Sequence, residues 1–145
     1  SQVIHDFAAP LKEFYNSIPE EKAGYAYAPG KWTIKELLQH VIDAERIFAY
    51  RAVCIARKDI TPLPGFYENS YAANSNANSR TLQSLKEEFN AVRNSTDQML
   101  NSFNDDQLNT TGTSSNKSIT VNAIAFIIYG HLIHHKKILE ERYLY

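Results

Sequence analysis

Tyr129-Gly130-His131-Leu132-Ile133-His134-His135 sets a histidine cluster inside what reads as the last and most apolar helix of a 145-residue chain. On a helix, residues four apart lie one turn above each other, so His131 and His135 project two imidazoles from nearly one face, a metal-chelating spacing. At about 100° per residue, Val121, Ile124, Ile127, Ile128, His131, Leu132, His135, Ile138 and Leu139 share one arc. Both histidines fall near the middle of that arc and are expected to point inward. His134 lies roughly 60° from His131, on the flank, and is the weaker candidate.

The same period marks three other long helices. Val3, Phe7, Leu11, Phe14 and Ile18 recur at three- and four-residue steps, which predicts a first amphipathic helix that Pro10 either kinks or delays. His5, on that helix, is not expected to join the other histidines. Thr33-Ile34-Lys35-Glu36 is a capping box, and it opens a second helix to about Arg57 on Leu37, Leu38, Val41, Ala44, Phe48, Ala52 and Ile55. His40 stands on the edge of that stripe and faces the core, while Glu45 falls on the other edge and needs a partner. A third helix, about Arg80 to Phe103, carries Leu82, Leu85, Phe89, Val92, Thr96, Met99, Leu100 and Phe103. Its inward-leaning Arg93 has two outcomes: a pair with Glu45 if the helices are neighbours, or, more commonly, a stem along the surface with the guanidinium in water.

The connections are less regular. Residues 58 to 79 form a loop longer than the usual helix connection, long enough to cross the domain and let helices two and three run parallel. Asn104-Asp105-Asp106-Gln107-Leu108 can make one helical turn, Gly112 and a Ser/Thr/Asn run read as a second loop, and Thr120 is the N-cap of a last helix ending near Arg142. No stretch alternates with period two over strand length, so residues 1–145 are expected to form one all-α domain of four long helices.

Composition narrows the function. A net charge of -1 from 15 basic and 16 acidic residues gives no footprint for a phosphate backbone or an anionic membrane, so neither nucleic acid nor membrane is an expected partner. No apolar run approaches the roughly 20 residues of a membrane span, and a cytoplasmic location is the default expectation. The single Cys54 excludes an intrachain disulfide and reads as a buried structural thiol.

Three inward histidines from two helices make a set of neutral nitrogen donors. Three protein ligands with a fourth position open is the arrangement of catalytic rather than closed structural metal sites. Spacing alone also has a plainer reading, because an i, i+4 pair arises by chance and histidines near the end of a helix suit its negative dipole end. No separate general base stands out; Glu45, Asp43 and His134 are possible helpers, each more readily structural or solvated. Trp32, Tyr25, Tyr27, Tyr50 and Phe66 either wall a pocket or close the bundle as core, and core is the expectation for Trp32.

Pro29-Gly30-Lys31-Trp32-Thr33-Ile34-Lys35-Glu36-Leu37-Leu38-Gln39-His40, then Pro62-Leu63-Pro64-Gly65-Phe66, then Gly130-His131-Leu132-Ile133-His134-His135, resemble the DinB-like (DinB/YfiT) superfamily in order and spacing. The resemblance implies an up-down-down-up four-helix bundle with one divalent metal, zinc or nickel first, held by histidines matching His40, His131 and His135. It implies a metal-dependent enzyme of the thiol S-transferase type acting with a low-molecular-weight thiol such as bacillithiol or mycothiol. A hydrolase, or a non-catalytic metal-binding and dimerisation module, is the alternative. The expected partners are a small-molecule substrate and a second copy of the chain in a homodimer.

Overall fold

The computed structural model describes residues 2–145, with side chains from residue 7 onward, so Val3 and His5 lie outside the described side chains. In chain order the helices are α1 (Gln2–Asn16), α2 (Ile34–Ala56), α3 (Glu68–Ala73), α4 (Leu82–Ser102) and α5 (Asp105–Leu108). A hairpin of β1 (Thr111–Ser114) and β2 (Lys117–Thr120) follows, then α6 (Val121–Ile138), which runs on into a π-helical turn at Leu139–Tyr143.

The helix starts follow local chemistry. Thr33 Oγ1 accepts the Glu36 amide at 3.1 Å while Glu36 Oε1 accepts the Thr33 amide at 3.0 Å, satisfying two amides that a bare helix start would leave unpaired. Thr81 and Thr120 cap α4 and α6 in the same way, each accepting an amide at 3.0 Å. Pro10 sits within α1, which does not take the delayed start.

Four helices form the bundle, packed in the ring order α1, α4, α2, α6. Their directions follow from who meets whom. Arg80 reaches Gln39, Arg46 reaches Glu88 and Arg93 reaches Glu45, so early residues of α2 meet early residues of α4 and the two helices are parallel. Asn16 bonds Asn90 and Lys86 Nζ bonds the Ile18 carbonyl, which sets α1 antiparallel to α4. His40 meets His135 while Phe48 meets His131, which sets α6 antiparallel to α2. The result is the up-down-down-up bundle, and the long connection after α2 is what lets α4 start at the same end.

Three local expectations need correction. Phe7 and Ile127 are exposed, at 43% and 42%, because each bundle helix buries its contact arc with only two ring neighbours and these residues lie beyond it. Tyr15, absent from the expected stripe, is fully buried at the i+4 position from Leu11, and its hydroxyl donates to the Leu132 carbonyl at 2.8 Å. The segment after α5 is a hairpin rather than a loop: Thr111 pairs with Thr120, Ser114 with Lys117, and Ser115 and Asn116 both hold positive φ, the two-residue turn that matches strand twist. Leu63 of the crossover joins it, donating its amide to Thr113 at 2.9 Å and accepting from Ser115 at 3.0 Å. Thus the crossover is pinned near its start.

Arg93 takes the paired outcome. Its guanidinium donates to Glu45 at 2.8 Å, to Asp97 and, at 3.1 Å, to the Tyr129 hydroxyl, which itself donates to Asp97. Both Arg93 and Glu45 are 3% exposed. Burial pushes the Glu45 carboxyl above its ordinary range, and the Arg93 charge pulls against that.

Two predictions follow from this packing. A Cβ added at Gly112 would lie 2.5 Å from Ile55 Cγ1 inside the core, so Gly112→Ala should destabilise by about 1–3 kcal/mol, seen as a lower urea midpoint with the same slope. Arg93→Met should cost about 3–5 kcal/mol because Glu45 is left buried without its cation, whereas Arg93→Met with Glu45→Met should recover most of the loss. An Arg93→Met protein as stable as one carrying the exposed change Arg46→Met would show that the pair contributes nothing.

Candidate metal centre

His40 enters the core from α2, two turns after the Thr33 cap, and His131 and His135 enter from α6 one turn apart. The antiparallel register brings all three together. His131 Nε2 lies 3.1 Å from His40 Nε2 and 3.1 Å from His135 Nε2, and the three donor atoms fall within 4.8 Å of one another. Ligands about 2.0–2.1 Å from a tetrahedral zinc ion sit about 3.3 Å apart, so the spacing matches a shared ion.

The chemistry of the donors agrees with the spacing. Burial first, and then their mutual repulsion as cations, lowers His131 to about 4 and His135 to about 3. His40 is lowered by burial as well, with Glu68 and Asp43 pulling the other way. Near neutral pH each ring is therefore uncharged and carries a free lone pair, the form a metal needs. The residues fit a divalent ion.

Around the cluster the walls are aromatic. The Trp32 ring lies 4.8 Å from His40, and Phe48 meets His131 edge-on at 5.5 Å. A cavity of about 340 Å³ opens beside His135, lined also by Tyr27, Lys31, Trp32, Asn69 and Tyr143 among others. Gly30, at φ +79°, lets the chain turn sharply into Lys31 and Trp32, and the Tyr143 hydroxyl donates to the Trp32 carbonyl at 2.8 Å, tying the C-terminal turn to that loop. Trp32 thus takes both of the roles the sequence left open, packing against the core and walling the cavity, where core was the expectation. Tyr27 also lines the cavity. Tyr25 packs on Tyr143, Phe66 on Tyr71, and Tyr50 is exposed, so these three stand apart from it.

None of the suggested helpers joins the histidines. Glu45 is occupied by Arg93, Asp43 accepts from Gln39 at 2.9 Å, and His134 is exposed with its ring 5.1 Å from that of His135. Cys54 is half-buried, about 21 Å along α2 from His40 at 1.5 Å per residue. The group that does approach is Glu68, at the start of α3, whose Oε2 lies 4.0 Å from His40 Nε2. Its position in an aperiodic crossover left no signal except that a long connection must pass over some part of the bundle.

The lowered imidazoles give a pH prediction for the metal-free protein. Between the folded values, about 3 and about 4 for His135 and His131, and the ordinary 6.5, the unfolded chain binds more protons than the folded one. Stability should therefore fall as the pH drops below about 6.5 and keep falling toward 4. Urea midpoints measured across that range in chelator should show the slope, and His135→Gln should reduce it.

Comparison with known proteins agrees with this architecture. The DinB superfamily profile matches residues 7–139. Among solved structures, YfiT from Bacillus subtilis, described as a probable metal-dependent hydrolase with an unusual four-helix bundle topology, superposes with a TM-score of 0.75 at 17% identity, covering 93% of this chain and 78% of that one. A DinB-like protein from Bacillus subtilis, YjoA, superposes with a TM-score of 0.62 at 18% identity, covering 96% of this chain and 88% of that one. No curated protein matches the chain. With the profile matched across most of the sequence and the bundle topology shared, the chain belongs to the DinB superfamily.

Proposed function

We propose that His40, His131 and His135 hold one divalent ion, zinc or nickel, and that the chain is a metal-dependent enzyme acting on a small molecule in the adjoining cavity. The observation that carries this reading is the convergence of three uncharged imidazole nitrogens, 3.1 Å apart across His131, beside an open cavity. A bound ion supplies Lewis-acid activation, lowering the pKa of a water or a thiol toward neutrality. The chain's own residues do the rest. His135 presents the site to the cavity, Trp32 covers His40 from solvent, and Lys31 and Asn69 offer polar contacts that orient a substrate against aromatic walls.

Hydrolysis is the reaction the cavity favours. It needs one organic substrate and a water, and about 340 Å³ lies near the small end of the roughly 300–1,000 Å³ that single-ligand sites occupy. The description of YfiT as a probable metal-dependent hydrolase supports the same reaction class. Thiol S-transfer is the second reading. What favours it is that the cavity opens to solvent, so the tail of a long thiol can lie outside while its sulfur reaches the histidines.

Protein purified without an affinity tag should carry one metal ion per chain by elemental analysis. His40→Ala, His131→Ala and His135→Ala should each lose it, and His134→Ala should keep it. Zinc at about 100 times its Kd should stabilise the wild type by about 2.7 kcal/mol and leave the three variants unchanged. Trp32 is the only tryptophan, so copper or nickel should quench its fluorescence through the neighbouring His40. Metal-dependent cleavage of simple esters or amides would support hydrolysis, turnover only with a thiol and an electrophile would move the assignment to transfer, and neither would leave a metal-binding protein. Stoichiometric metal in any of the three alanine variants would overturn the ligand set.

A further inference from the structure

We infer that Glu68 is the anionic donor of this centre, its carboxylate joining His40, His131 and His135 on the bound ion as a fourth protein donor and leaving a fifth position for water, thiol or substrate. The inference rests on the metal-binding reading above. Three neutral imidazoles leave a divalent charge uncompensated among Trp32, Phe48 and the apolar core, and a carboxylate oxygen is an ordinary donor to zinc and its neighbours at about 2.0–2.2 Å.

Glu68 is the carboxylate placed to supply that charge. Its Oε2 is 4.0 Å from His40 Nε2, and among the described residues it has no other ion-pair or hydrogen-bond partner. The other acidic side chains on α2 near His40 are engaged: Glu36 holds the Thr33 amide, Asp43 accepts from Gln39, and Glu45 is paired with Arg93. The following residue, Asn69, lines the cavity together with His135, so the first turn of α3 faces the site and not open solvent alone. Donors on a shared ion sit about 3.3 Å apart, closer than 4.0 Å, but the Glu68 side chain is 62% exposed and can change rotamer without disturbing the core. The crossover thereby gains a function beyond connection, since it carries a donor that, among the described residues, none of the four bundle helices provides.

The test compares wild type, Glu68→Ala, Glu68→Gln and the exposed control Glu87→Ala as full-length metal-free chains titrated with zinc against a chromophoric chelator, and with cobalt for its visible spectrum. Zinc affinity should fall about 10–100-fold in Glu68→Ala and less in Glu68→Gln, with the cobalt bands shifted in both and neither change seen in Glu87→Ala. Far-ultraviolet circular dichroism should be the same for all four. Wild-type affinity and an unshifted cobalt spectrum in Glu68→Ala would overturn the role of Glu68 while leaving the three-histidine site standing. A wild type that takes up neither zinc nor cobalt would overturn the metal centre itself, and this donor with it.

Discussion

The buried ion pair between Arg93 and Glu45 sets the frame on which the histidine cluster depends. It joins α4 to α2 at 2.8 Å, and through Tyr129 it reaches α6 two residues before His131. An interior charge tolerates little displacement, since its partners must stay within hydrogen-bond reach to offset the loss of water. The pair therefore acts as a register pin among three helices that apolar packing alone would let slide. On the far side, the Tyr15 hydroxyl bonds the Leu132 carbonyl and fixes α6 against α1. Between these two pins stands His131, the residue that meets both other histidines.

This arrangement also explains why the crossover is long. α6 runs antiparallel to α2 on one side of it, and α4 runs parallel to it on the other. The connection from α2 to α4 must then travel the length of the bundle, which is where Leu63 is clasped by the hairpin and where α3 is laid over the histidines. Gly112 allows the hairpin that clasps Leu63 to lie directly on Ile55 of α2.

Periodic features were legible in the sequence and aperiodic ones were not. The Thr33 box, the stripes of α2 and α4 and the inward phase of His40, His131 and His135 all follow from helical geometry, which is rigid enough to read from spacing. The juxtaposition of Arg93 and Glu45 was visible only as one of two outcomes, because it depends on which helices are neighbours. Tyr15 lies at the i+4 position from Leu11, but the carbonyl that accepts its hydroxyl belongs to α6, which spacing within α1 does not reveal. The hairpin escaped because its strands are four residues long and rich in Ser and Thr, with a Ser115-Asn116 turn in place of the stronger Asn-Gly signal. Glu68 lies in a connection with no period at all.

The division between helices and connections also governs what the site can do. The three histidines stand on two long helices held by buried bonds, so their mutual geometry is insensitive to changes at the surface. The cavity beside them is built mostly otherwise: Tyr27, Lys31 and Trp32 come from the segment before α2, Asn69 from the crossover and Tyr143 from the turn after α6, with Leu37 and Ile138 added from α2 and α6. Loops and chain ends tolerate substitution and insertion far better than packed helices. One bundle can thus keep a constant set of imidazoles while its walls are exchanged, and specificity must be argued from those walls rather than from the fold. In this chain those walls join the aromatic rings of Tyr27, Trp32 and Tyr143 to the polar ends of Lys31 and Asn69.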